Sequence, residues 1–127
     1  MGGSFKTLNL CHAGDIVLTK GGRVGTAGLI TKESYVTRDL IFVNSSKLKR
    51  KDYLMLYIYL CTDFAYKQML RSSSMTAQPH LTITLIRELM IFDFSDNFKN
   101  NIQECYELYE AQFQRANELY SNAEELL

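Results

Sequence analysis

The stretch GDIVLTKGGRVGTAGLI, Gly14 to Ile30, decides how the first half of this chain folds. Gly-Asp is a turn signal, IVLT is a short β-branched run, and Gly21, Gly22, Gly25 and Gly28 punctuate the residues after it, so the stretch reads as a strand entering a tight, glycine-rich turn. Three chemistries use such a stretch: a loop cradling phosphate, the first strand of a hydrolase barrel, and a rigid edge that holds other groups against DNA. No Lys-Ser/Thr comes after the last glycine and no Gly-x-Gly-x-x-Gly occurs, which makes phosphate cradling by the loop itself a weak idea. The hydrolase reading has Cys11 and His12 just ahead of the strand, but a nucleophile and its base normally meet across a fold, and the one other histidine is His80. A Cys/His hydrolase therefore stays open only as a minor alternative.

Working outward, ESYVTRDLIFVNSS (33–46) continues the β-rich pattern and ends in turn residues. The period changes at Asp52, a candidate N-cap, after which Leu54, Tyr57, Ile58 and Cys61 stand at helical spacing; Asp63 can cap a second short helix, FAYKQMLR. SSSMTAQPH (72–80) reads as a loop around the single proline, Pro79, and LTITLIRELMIFDF (81–94) as strand or short helix. The last segment carries the clearest period. Ile102, Tyr106, Tyr109, Phe113, Ala116, Tyr120, Ala123 and Leu127 step alternately by 4 and 3 residues, a heptad seam. With Ser95 or Asp96 as its cap, a helix of nearly thirty residues is expected, about 40 Å long at ~1.5 Å per residue. A small domain cannot cover that length, so part of the seam is expected to meet another helix. A lone helix folded over its own domain is the alternative.

The 127 residues are 46% hydrophobic and 22% charged, enough for one core. The expected fold class is α+β: a compact mixed-sheet domain over residues 1–94, then one long coiled-coil helix over 95–127. No run approaches the ~20 apolar residues of a membrane span, and MGGSFKTLNLCHAGD lacks the apolar core of a secretory signal, so a cytoplasmic protein without a membrane partner is expected. Cys11, Cys61 and Cys105 are odd in number and in no metal or redox spacing, which fits reduced thiols and no metal site. Net charge is zero, yet residues 1–90 hold 12 Lys+Arg against 6 Asp+Glu and residues 91–127 hold 2 against 8. A basic body can hold phosphates while an acidic tail faces solvent or a protein partner; two solvated surfaces that differ by chance are the bland alternative.

Several activities lack their residues. Amino-methylation of DNA needs an Asn/Asp-Pro-Pro-aromatic turn, which a chain with one proline does not contain, and a metal-dependent nuclease usually presents Glu-x-Lys or Asp-x-Lys, neither of which occurs. No catalytic residue is assigned.

The order of these elements carries a resemblance. GDIVLTKGGRVGTAGLI, RDLIFVN (38–44), KDYLMLYIYLCTDFAYKQML (51–70), SSSMTAQPHLTITLIRELMIFDF (72–94) and a long helix together resemble the target recognition domain and spacer helix of the specificity subunit of type I restriction-modification systems. Where that family usually reads Pro-Leu-x-Glu-Gln ahead of the spacer helix, this chain departs from the pattern and has FDFSDNFKNN (92–101). A whole specificity subunit has two recognition domains and two long helices, so the resemblance implies a half or truncated subunit whose recognition domain has a missing or short N-terminal part. It also implies a non-catalytic, sequence-specific reader of double-stranded DNA. Such a reader directs a partner adenine methyltransferase, and through it a restriction subunit, to a bipartite target. It needs no cofactor of its own, since S-adenosylmethionine binds the methyltransferase. On that reading Lys20, Arg23 and Thr26 in the glycine-rich turn and Ser74, Thr76, Gln78 and His80 in the second loop are candidate DNA contacts, and the KLKRK run (Lys47, Lys49, Arg50 and Lys51) is the candidate phosphate contact. Each has a bland alternative as ordinary loop polarity. The seam residues are expected to pair the chain in an antiparallel homodimer, or with another specificity-subunit helix. A different function remains open: an interaction module that pairs through its helix without binding DNA.

Overall fold

The computed structural model describes residues 8–20, 24–73 and 86–126. It divides into two units, Met1–Asp93 and Phe94–Leu127. In the first unit β1 (Leu8–Cys11) pairs antiparallel with β4 (Ser34–Thr37), and β2 (Ile16–Thr19) is the centre of a three-stranded sheet between β3 (Ala27–Leu29) and β5 (Leu40–Val43). Two helices come next, α1 (Arg50–Leu60) and α2 (Asp63–Ser73); the second unit is α3 (Asp96–Glu125) with its lead-in. The α+β class is as the sequence implies. The expected mixed sheet resolves into two small sheets whose described ladders are all antiparallel.

The period-2 reading of IVLT holds side chain by side chain. Ile16 and Leu18 are fully buried while Val17 and Thr19 are half-buried, because alternate residues of a strand point to opposite faces. Leu18 stands opposite Ile41 of β5, also buried, so the two inward rows are in register. Leu54, Met55, Tyr59 and Leu60 of α1 and Ala65 and Met69 of α2 complete this core with Val24 and Cys11.

Two helix starts differ from the sequence reading. α1 begins at Arg50, with Lys49 as its N-cap and Asp52 inside the first turn, where a carboxylate still favours the positive end of the helix. The face it buries runs through Leu54, Met55, Tyr59 and Leu60, and not through the line Leu54, Tyr57, Ile58 and Cys61; Cys61 lies past the helix and is exposed. Helical spacing alone permits both lines, and packing onto the sheet selects one. In α2 the capping bond comes from Thr62, whose hydroxyl accepts from the Ala65 N–H at 3.3 Å and donates to the Tyr59 carbonyl at 2.6 Å, while Asp63 occupies the first helical position.

The end of the first unit is held by side chains instead of a ladder. Ile86 and Arg87 make a helical turn, and beyond it the Met90 peptide is gripped on both sides: the Gln68 amide donates to its carbonyl at 3.1 Å and accepts from its N–H at 3.0 Å, and the Tyr59 hydroxyl donates to the same carbonyl. The Phe92 ring meets Phe64 and Tyr59 with centroids 5.1 and 6.0 Å away. Residues 81–85 of the sequence's last strand-or-helix stretch lie outside the described residues.

Two glycines answer the question that the Gly14–Ile30 stretch poses. Gly14 and Gly25 adopt φ of +94° and +78°, the left-handed region that costs other residues free energy. A Cβ on Gly14 would lie 3.1 Å from the Tyr53 ring, and one on Gly25 only 2.9 Å from both the sulfur and the methyl carbon of Met69. These two glycines are therefore structural: Gly14 lets the turn ahead of β2 pass under Tyr53 of α1, and Gly25 lets the chain entering β3 approach Met69 of α2. Gly25→Ala combines a left-handed penalty of about 1–2 kcal/mol with overpacking of about 1–3 kcal/mol against a core methionine. Urea denaturation should place its midpoint well below the parent's; a loss of only about 1 kcal/mol would show that Met69 moves aside at no cost, and an unchanged midpoint would contradict the backbone penalty as well.

Candidate nucleic-acid interface

The antiparallel register decides where the candidate contacts lie. Ile16 pairs with Val43 and Thr19 with Leu40, so residue 20 leaves the sheet at one end and the segment after Val43 leaves it at the other. Lys20 and Thr26 belong to the Thr19 end; Lys47, Lys49, Arg50 and Lys51 belong to the Ile16 end. With four-residue strands at ~3.3 Å per residue the two ends stand roughly 10 Å apart. The sequence alone leaves these two basic groups unplaced relative to one another, and the sheet separates them.

At the Ile16 end, Asp15 organises the corner. Its side chain is buried and accepts from the His12 N–H at 2.7 Å, the Ser45 N–H at 3.0 Å and the Ser45 hydroxyl at 3.4 Å. These bonds tie the chain after β1 and the chain after β5 to the start of β2. From Ser45 the chain turns, with the Leu48 N–H donating to the Ser45 carbonyl at 2.9 Å, and enters α1 at once. Lys47, Lys49 and Arg50 are exposed and Lys51 is half-buried. The Arg50 guanidinium donates to the Tyr53 hydroxyl at 2.9 Å, and the Tyr53 ring packs over Gly14, so this corner of the sheet also positions the basic run. The N-cap residue Lys49 makes no side-chain cap bond, and Asp52 is the acidic residue of the first turn. Cations at the positive end of a helix dipole are an arrangement that a bound anion improves.

At the Thr19 end the Thr26 N–H donates to the Thr19 hydroxyl at 3.0 Å, closing the glycine-rich turn, and the Lys20 ammonium donates to the Arg38 carbonyl at 2.7 Å. A cleft of about 210 Å³ opens beside Thr26, lined among others by Leu60, Asp63 and Tyr66. Arg23, Ser74, Thr76, Gln78 and His80 lie outside the described residues. Sequence reasoning misses Asp15, Gln68 and Arg38. The Gly-Asp pair at a strand start is a signal for the first, and the other two act through contacts 22 and 18 residues away along the chain.

The Cys/His chemistry finds no support in the Cys11 environment. The thiol is buried, and burial with the nearby Asp15 carboxylate raises its pKa, the reverse of what an activated thiolate needs. His12 is exposed, between the carboxylates of Asp15 at 3.9 Å and Glu33 at 3.8 Å. Among the described residues no three His, Cys, Asp or Glu side chains are grouped as metal ligands would be, and no helix is long and apolar enough to cross a membrane.

In the second unit Ser95 caps α3, accepting from the Phe98 N–H at 3.2 Å, and the helix runs 30 residues. None of them is buried. Of the seam, Ile102, Tyr106, Tyr109, Phe113, Ala116, Tyr120 and Ala123 lie on α3, and Leu127 is outside the described residues. The Tyr106, Tyr109 and Phe113 rings succeed one another with centroids 6.1 and 6.0 Å apart, an aromatic strip along one side of the helix.

Comparison with known proteins agrees with the order of elements. The family model for the type I restriction modification DNA specificity domain matches residues 3–92. No curated protein and no solved structure matches. The match takes in both sheets, α1, α2 and the Gln68-gripped segment, more than half of the chain, and this chain therefore belongs to the family of type I restriction modification DNA specificity domains.

Proposed function

We propose that the chain is a non-catalytic reader that brings a partner adenine methyltransferase, and through it a restriction subunit, to a bipartite DNA target. The observation that carries this reading is the placement of Lys47, Lys49, Arg50 and Lys51 around the start of α1, on a body with twice as many basic as acidic residues over residues 1–90. Phosphate contacts there fix register, and the loops supply the base contacts. S-adenosylmethionine belongs to the methyltransferase. The bipartite part of the reading rests on α3: its exposed seam suits an antiparallel second copy, which would set two recognition domains a fixed distance apart. Its acidic flank, Glu104, Glu107, Glu110, Glu118, Glu124 and Glu125, then faces outward as a surface for the methyltransferase.

Titration of the chain with duplex DNA at several salt concentrations tests the reader. Affinity should fall steeply as salt rises, and Lys49, Arg50 and Lys51 replaced together by alanine should weaken binding about equally on all sequences and flatten the slope of log K against log salt by about 2–3, at ~0.9 per phosphate contact. If the triple variant keeps the parent's affinity and slope, the phosphate contact is misplaced. Absence of binding by the parent at low salt favours the interaction module that pairs through α3 alone.

A further inference from the structure

Arg38 opens the RDLIFVN stretch without being a candidate contact in the sequence, and the bond that brings it forward comes from Lys20, itself a candidate DNA contact. Lys20 comes after β2 and Arg38 precedes β5; the Thr19–Leu40 pairing lays the two chain ends side by side. There the Lys20 ammonium donates to the Arg38 carbonyl at 2.7 Å, and one residue on, the Asp39 N–H donates to the Thr37 hydroxyl at 3.0 Å. The β4–β5 turn is thus held from both sides, and Arg38 at its apex is exposed. A lysine that spans two strands to grip a carbonyl gives up the rotamer freedom of a long side chain, and it sets one cation beside the backbone of another. In water that restraint brings no electrostatic benefit; against a phosphate it holds the segment that carries the Arg38 guanidinium in place.

We propose that Arg38 is a further DNA-contacting residue, at the opposite end of the sheet from the start of α1, and that Lys20 is its positioning residue. This inference rests on the reader described above. The four-residue strands between the two ends are roughly 10 Å long, so a contact beyond each end engages a different phosphate.

The two roles separate by mutation because the bond uses the backbone of Arg38. Arg38→Ala removes the guanidinium and leaves the Lys20 bond intact, whereas Lys20→Met keeps the stem and removes the bond. With a fixed mixed-sequence duplex at low salt, Arg38→Ala should weaken binding several-fold and flatten the salt slope by about 0.9, and Arg38→Lys should keep the slope. Lys20→Met should weaken binding in the parent and have little further effect in the Arg38→Ala background, since a positioning residue has nothing left to position. Thermal melting should match the parent for Arg38→Ala, an exposed side chain. If Arg38→Ala binds as the parent does while the Lys49/Arg50/Lys51 triple is weakened, the inference is wrong and the reader stands. If the triple too is unaffected, the inference is wrong and the phosphate contact at the start of α1 is misplaced as well; if the parent itself does not bind the duplex, the reader and the inference fall together. Additive effects of Lys20→Met and Arg38→Ala would overturn the positioning role and make Lys20 a contact in its own right.

Discussion

Asp15→Ala is expected to leave the first unit largely unfolded near room temperature in moderate urea, the largest stability effect expected of a single polar substitution among the described residues. The Asp15 side chain is 3% exposed and accepts from two backbone N–H groups, those of His12 and Ser45, besides the Ser45 hydroxyl. Its backbone is engaged as well: its N–H donates to the His12 carbonyl at 3.0 Å and its carbonyl accepts from the Ile30 N–H at 2.9 Å. One residue thus joins the chain after β1, the start of β2, the chain after β3 and the approach to α1. Alanine keeps the backbone bonds and strips the two N–H groups of their acceptor. Hydrogen bonds to a charged group contribute about 1.5–3 kcal/mol each, so the loss is on the order of 3–5 kcal/mol out of the ~5–15 kcal/mol typical of a domain. Asp15→Asn keeps one acceptor oxygen and should fall between the two. Urea midpoints measured by circular dichroism check the order parent, Asn, Ala; an alanine variant within about 1 kcal/mol of the parent would mean that water replaces the carboxylate at this corner. Because the same corner carries Ser45 and hence the approach to α1, the asparagine variant, if folded, should also bind DNA less tightly.

Phe113→Asp is expected to convert a dimer into a monomer. Phe113 is at the middle of the seam, 56% exposed in the single chain, with its ring 6.0 Å from that of Tyr109. On an antiparallel pair the centre of the seam faces its own copy, so one substitution places two carboxylates against each other where water has been excluded. Burying an ionised carboxylate without a partner costs several kcal/mol, far more than a surface change. Sedimentation at micromolar concentration should give a dimer for the parent and a monomer for the variant. The variant should still bind a single half-site, because the proposed phosphate contacts lie in the first unit, but should lose preference for two half-sites at a fixed spacing. A parent that sediments as a monomer removes the basis for the paired reading.

The features legible in the sequence are local and periodic. IVLT announces a strand with Ile16 and Leu18 on one face, because side-chain direction alternates with every residue whatever lies around it. Ser95 and the eight-residue seam announce α3 for the same kind of reason: a cap and a 3.5-residue period are properties of the helix itself. The order of such elements also carries the family. Only the tertiary structure decides the features that depend on register between distant segments. Spacing allows α1 to bury Tyr57 and Cys61, and the sheet beneath it chooses Met55 and Tyr59. Glycines that look alike in the sequence differ in kind once Met69 closes over Gly25 and Tyr53 over Gly14. The basic groups at Lys20 and at Lys47–Lys51 lie at opposite ends of one sheet because β2 and β5 are antiparallel, and Lys20 meets Arg38 for that same reason. A contact across 18 or 30 residues leaves no local period behind, since its free energy comes from burial and pairing that exist only after the chain has closed on itself.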